Sequence, residues 1–194
     1  MKMNRKRRVL ELGVGLGFLL TVVLTLAMGW RQRVAAQVRA DTIRLHVLAN
    51  SDTIEDQLLK LEVRDAILAA LPATVTAAET PAQAIQALQN ALPALRAAAN
   101  QALLQAHSGQ TATVRLENFA FDARDYGSFA LPGGTYTALR VEVGAARGHN
   151  WFCVLYPALC VSGATAEYPT RAENALVFGQ YEVRFALLDA LKGR

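Results

Sequence analysis

The chain has 194 residues, enough for one domain and an appendage. Its formal charge of +4 sits at the front: residues 1–33 hold seven of the 20 Lys and Arg and one of the 16 acids. The remainder carries 13 basic and 15 acidic residues, a formal charge of −2, and lacks the basic patch with interleaved aromatics that a nucleic-acid partner requires.

The basic cluster Lys2, Arg5, Lys6, Arg7 and Arg8 precedes an uncharged run, Leu12 to Trp30, which Arg31 and Arg33 close. The run is about as long as the ~20 apolar residues a helix needs to cross a bilayer. Positive charge is heavier before it than after it, which keeps the amino terminus cytoplasmic and exports the rest. Val34-Ala35-Ala36 has the small-residue form of a cleavage site, and Ala27 offers another inside the run. The run exceeds the ~7–15 residues usual in a signal-peptide core. Residues 1–33 are therefore a signal peptide or a membrane anchor, 34–40 a connector, and 41–194 an exported domain.

Ile43, Leu45, Val47 and Ala49 alternate with Arg44 and His46, the period-two pattern of a half-buried strand. Asn50, Ser51 and Asp52 break the pattern, and Asp52 with Glu55 has capping-box spacing. Ile54, Leu58, Leu61 and Leu68 then form an apolar helical stripe, widened by Ala66 and Ile67. Asp56, Lys60 and Arg64 recur every fourth residue on another face, where acid and base can pair across one turn. Pro72 ends this helix. A loop over 74–80 leads to Thr80-Pro81, an N-cap with proline at the first helical position. Pro93 predicts two helices, about 81–90 and 92–107, because mid-helix proline removes a backbone bond and clashes with the preceding turn.

Val114 and Leu116 alternate with Thr113, Arg115 and Glu117 in a second strand. Leu131-Pro132-Gly133-Gly134 fits a type II turn. Thr135 to Val143 is a third strand, with Arg140 and Glu142 on its polar face. Trp151 to Tyr156 is a fourth, and the short loop between these two predicts a hairpin. Residues 161–170 are expected to be mobile, and Glu182 to Leu191 fits a short terminal helix. The fold class is α+β: the N-terminal transmembrane or signal helix, then one domain with an antiparallel-rich sheet of about four strands and helices packed on one face. The other face, carrying Arg44, His46, Arg115, Glu117, Arg140 and Glu142, is left to water.

The corner where the first strand becomes a helix admits two readings, a well-capped junction or a recognition surface made by His46, Asn50, Ser51, Asp52 and Gln57. Arg140, Asn150 and Trp151 join that surface if their strands neighbour the first. Cys153 and Cys160 are the only cysteines, and outside the cytoplasm such a pair suggests a disulfide. Two buried thiols are the other possibility. Catalysis would have to use Cys153 with His46 or His149, without a nucleophile elbow or an orienting residue. Three histidines with no paired spacing make no zinc site, and the glycines near Gly148 make no phosphate loop. No cofactor, metal or catalytic residue is expected.

Three stretches together carry a resemblance. They are Arg44 to Asp52 with Asp56, Gln57, Lys60 and Val63 to Asp65; Tyr126-Gly127 with Leu131 to Val141; and Gly148 to Cys160. Over residues 41–160 the chain resembles the stage II sporulation protein R family of endospore-forming bacteria. It departs at Phe152 and Ala158, where a second tryptophan and a second proline would stand. The resemblance implies a secreted signal, made in the forespore and exported into the space between the forespore and mother-cell membranes. There it would activate a membrane-bound aspartic protease of the mother cell, leading to cleavage of pro-sigma-E. No catalytic residue comes with it. An exported thiol-dependent or cell-wall hydrolase and a structural envelope protein are the alternatives.

Overall fold

The computed structural model describes residues 5–159 and 168–179. In chain order the elements are α1 (Arg5–Ala40), β1 (Ile43–Leu48), α2 (Ile54–Ala69), α3 (Ala73–Thr76), α4 (Pro81–Gln105), β2 (Ala112–Phe121), β3 (Arg124–Asp125), β4 (Ala130–Leu131), β5 (Gly134–Val143), β6 (Asn150–Tyr156) and α5 (Arg171–Phe178). The fold is α+β, with a long apolar helix leading into a mixed four-stranded sheet and its helices. Most of the stretch expected to be mobile, together with Cys160 and the expected terminal helix at 182–191, lies outside the described residues.

The uncharged run becomes part of one 36-residue helix, about 54 Å long at 1.5 Å per residue. Its apolar part is unburied and apolar enough to cross a membrane. Residues 34–40 continue the same helix, and there Val34 and Val38 are buried. The connector is thus the helix's last two turns, packed into the domain.

The sheet order is β2-β5-β1-β6. β1 pairs parallel with β5 and antiparallel with β6, while β2 pairs antiparallel with β5. The expected hairpin between β5 and β6 does not form, because β1 lies between them. Residues 144–149 cross the end of β1 instead of making a tight turn, held by Arg147 N–H to Asn50 O (3.1 Å) and Gly148 N–H to Ala49 O (2.9 Å). The turn before β5 also departs from type II. Positive φ falls on Gly134 (140°), not on Gly133, and Ala130–Leu131 pairs back onto Arg124–Asp125.

One sheet face is covered by α2, α3 and α4. Ile43, Leu45, Val47, Leu139 and Val141 meet Val63, Ile67, Leu88, Leu95 and Leu103 there. Fully burying each such side chain contributes roughly 1.5–3 kcal/mol. α4 runs unbroken through Pro93. Pro93 and Gln89, whose carbonyl loses its partner, face solvent, so water satisfies the freed oxygen while Leu88 and Leu95 hold both halves to one core. Packing thereby outweighs the local penalty. The Thr80-Pro81 start is as the sequence predicts.

α2 differs from its expected face. Its inward residues are Leu59, Val63 and Ile67, while Ile54 is 81% and Leu58 58% exposed. The cap is Thr53, which accepts from Asp56 N–H, not Asp52 with Glu55. A start one residue later changes which side chains open the first turn.

The second face is graded and mostly covered. At one end Arg140 pairs with Glu117 (2.9 Å) and Glu142 (2.7 Å), and Arg115 with Glu142. In the middle Phe119, Phe121, Tyr136 and Phe152 surround His46 and Arg44. At the other end Val38 of α1 and Val177 of α5 close over Val154, Leu131 and Tyr168. The expectation of a water-facing polar surface holds only for the ion-paired end.

Candidate functional site

The corner after β1 is a clasp. Asn50 donates to Asp56 Oδ2 (2.9 Å) and accepts from Ala145 N–H (2.8 Å). Ser51 and Gln110 also donate to Asp56, the latter at 2.6 Å. These donors hold the Asp56 carboxyl down to about 2, with Ser51 first, then Gln110 and Asn50. Asp52 accepts from the backbone N–H of His149 and meets its ring Nδ1 at 2.6 Å, which holds that carboxyl below its ordinary value. Gln57 donates to Ser51 O (2.9 Å). Buried Lys60 donates to His149 O (2.9 Å) and to Gln57 (2.6 Å), and its burial lowers its pKa. The 144–149 loop therefore lies pinned against the corner. Gly148 is required there, since a Cβ would overlap the Ser51 carbonyl.

The every-fourth-residue charges of α2 do not pair with each other. Asp56 takes three donors from outside its helix turn, Lys60 reaches the loop, and Arg64 lies against Trp151 (4.9 Å) and Asp65. Sequence spacing alone gave Asp56, Lys60 and Gln110 no special role. A carboxylate followed by an apolar-flanked lysine four residues on was the available signal, but it reads equally well as a solvated face.

The eight expected recognition residues divide among different surroundings. Asn50, Ser51, Asp52 and Gln57 stay together in the corner. Trp151 pairs in register with Val47 and belongs to the helix-covered face. His46 is 2% exposed on the opposite face, stacked on Phe152 with ring centroids 4.6 Å apart. Burial first, then the charges of Arg140, Arg44 and Arg124, lower its pKa to about 4, so the ring is neutral near pH 7. Arg140 pairs in register with His46 and is held by its two glutamates. Asn150 opposes Leu48 at the start of β6. His46 is accordingly unable to meet a partner at the corner. Cys153 opposes Leu45 on the helix-covered face, so His46 and Cys153 point to opposite sides of the sheet and form no nucleophile–base pair.

The second feature of interest lies beneath Phe152. Arg44 is 1% exposed, with its guanidinium 4.0 Å from the Phe121 ring centroid and 5.0 Å from that of Tyr136. It donates to Tyr126 Oη (2.8 Å), while its Nε and Nη1 have no acceptor among the described residues. Arg44, Phe121, Asp122, Ala123, Arg124, Asn150 and Phe152 line a cleft of about 280 Å³.

Residues 39–166 match the family described as stage II sporulation protein R. The chain belongs to the stage II sporulation protein R family. The stage II sporulation protein R of Bacillus subtilis (strain 168) is 34% identical over 118 residues, 61% of this chain and 53% of that protein. The chain thus spans about half the length of the curated relative it matches. No solved structure matches it. The family match covers both the corner and the Arg44 cleft, and begins at Arg39, just after the buried Val34 and Val38 of α1.

Proposed function

We propose that this member of the stage II sporulation protein R family is an exported signal of endospore formation that activates the mother-cell membrane aspartic protease responsible for cleaving pro-sigma-E. Family membership carries the reading, and a membrane-length helix running straight into the domain supports it. Export places the domain in the space between the forespore and mother-cell membranes. The protein acts by binding, not by chemistry of its own. A ligand drives such a switch only through tighter binding to the active state of its target. A shift from 1:99 to 99:1 needs about 5.5 kcal/mol of differential affinity.

The contact surface in this reading is the outer side of the corner. Asp52 and His149 present exposed polar groups, Asn50, Ser51 and Gln57 hold them in place, and Asn150 follows on β6. Beside them α2 exposes Ile54 and Leu58. Apolar side chains rimmed by polar groups are the composition expected of a protein contact. A disulfide between Cys153 and Cys160 belongs to the same proposal, since it would form only on the oxidising side of the membrane.

Full-length protein produced with the protease and pro-sigma-E should trigger cleavage, and omission of the protein should stop it. Ile54→Asp with Leu58→Asp should lower triggering at least about tenfold, roughly 1.4 kcal/mol, while the thermal midpoint stays nearly unchanged because both side chains face solvent. Full triggering by the folded double variant removes the surface. Cleavage without the protein removes the signalling role.

A further inference from the structure

The corner leaves its charged groups hydrogen-bonded, whereas the cleft beneath Phe152 does not. Arg44 is a permanent cation with two unsatisfied donors, and among the described residues no carboxylate pairs with it or with Arg124. An unpaired buried charge is destabilising, and stacking on aromatic faces offsets this only in part. Arg124, exposed at the rim, stacks on Phe152 at 4.3 Å. The two guanidinium groups thus border one open cleft with apolar rings between them. His46 beneath the same rings leaves both nitrogens without partners among the described residues.

We propose that this cleft binds a carboxylate attached to an apolar or aromatic group, held by Arg44 and Arg124 with Phe121 and Phe152 as walls. Three observations favour a carboxylate over a phosphate. Asp122 also lines the cleft, so the wall carries two positive charges and one negative, which suits a monoanion better than a dianion. The planar guanidinium fork matches the planar carboxylate. The aromatic walls favour an organic acid over a hydrated inorganic ion. The Asn150 amide supplies a neutral polar group at the mouth. The site lies on the sheet face opposite Trp151 and shares Asn150 with the proposed contact surface, but its test reads arginine resonances and not cleavage, so it stands or falls apart from the signalling role.

The test uses the full chain in non-ionic detergent with ¹⁵N-labelled arginine. Phenylacetate and N-acetyl-Phe-Asp-amide serve as probes, with phenylacetamide, N-acetyl-Phe-Asn-amide and inorganic phosphate as controls. The acids should shift the Nε–H resonances of Arg44 and Arg124, and the amides should not. Tighter binding of the dipeptide acid than of phenylacetate identifies an acidic side chain on a peptide as the source; the reverse order identifies a free organic acid. Arg124→Gln, a solvent-facing change, should weaken the acids at least about fivefold. Arg44→Met should abolish binding while leaving the fold as stable or more so, because it removes an unpaired buried charge. Absence of any shift up to about 50 mM probe, a dissociation constant too weak to matter, overturns the proposal. So does an equal response to the amides, or tighter binding of phosphate than of either acid.

Discussion

Asp56 accepts hydrogen bonds from Ser51, Asn50 and Gln110, and these link the β1 corner, α2 and the segment before β2. Its carboxyl lies at about 2 in the folded chain, below the ordinary carboxylate value of about 4. A depressed folded value contributes stability that is complete above the unfolded value and is lost as pH falls toward 2. Asp56→Asn should lower stability by about 3 kcal/mol at pH 7, because it turns charge-assisted bonds into weaker ones and leaves a donor facing donors. It should also flatten the pH dependence between about 4 and 2. Urea unfolding in detergent across that range checks both. The cysteines make a second residue-scale case. Mass spectrometry of the unreduced protein, recovered from an oxidising compartment, should show Cys153 joined to Cys160, and two freely alkylated thiols would refute the bond.

At the scale of elements, α5 is held to the rest of the domain through α1. Thr42 and Tyr168 share a hydrogen bond (2.8 Å), and Val177 meets Val38. Fully buried Glu173 closes a capping box with Thr170 and lies beside Asp41. Burial first, then the Glu173 carboxyl, push the Asp41 carboxyl up to about 6. A raised folded value contributes stability that is complete below the unfolded value, about 4, and is lost as pH rises through 6. Docking of α5 should therefore loosen between about pH 4 and 6, and Asp41→Asn should remove that dependence. Amide-exchange protection factors for residues 171–178, corrected for the intrinsic rate, are the measurement. Unchanged pH dependence in the variant would show that other groups govern α5.

Over the whole molecule, the long apolar helix and the domain are one continuous piece. Val34 and Val38 project from the end of α1 into the domain, so the position of any cleavage bears on stability. Cleavage after Ala36 removes Val34 from the fold; cleavage after Ala27 leaves both valines. A chain beginning at Gln37 should unfold more easily than one beginning at Met28, by roughly 1.5–3 kcal/mol for one buried valine. Equal denaturation midpoints would show that the end of α1 adds nothing to the domain.

Elements whose signals are local were legible in the sequence. The period-two runs of β1, β2 and β5, the aromatic and β-branched run of β6, the Thr80-Pro81 start of α4 and the long apolar run each follow from residues close together in the chain. So did the clustering of Asn50, Ser51, Asp52 and Gln57, because a polar break between a strand and a helix is itself local. The features that failed depend on distant partners. Pro93 predicts a break, but Leu88 and Leu95 pack into one core and water satisfies the carbonyl that proline frees. The 144–149 loop reads as a hairpin turn, yet β1 fits between β5 and β6, because strand pairing is chosen among all strands of the sheet and not by sequence proximity. Alternation placed Arg44 and His46 on the face away from Leu45. It could not tell that Phe119, Phe121 and Phe152, from strands more than 70 residues later in the chain, would cover them. Period two tells which side of the sheet a residue takes, and only the tertiary packing decides whether that side meets water.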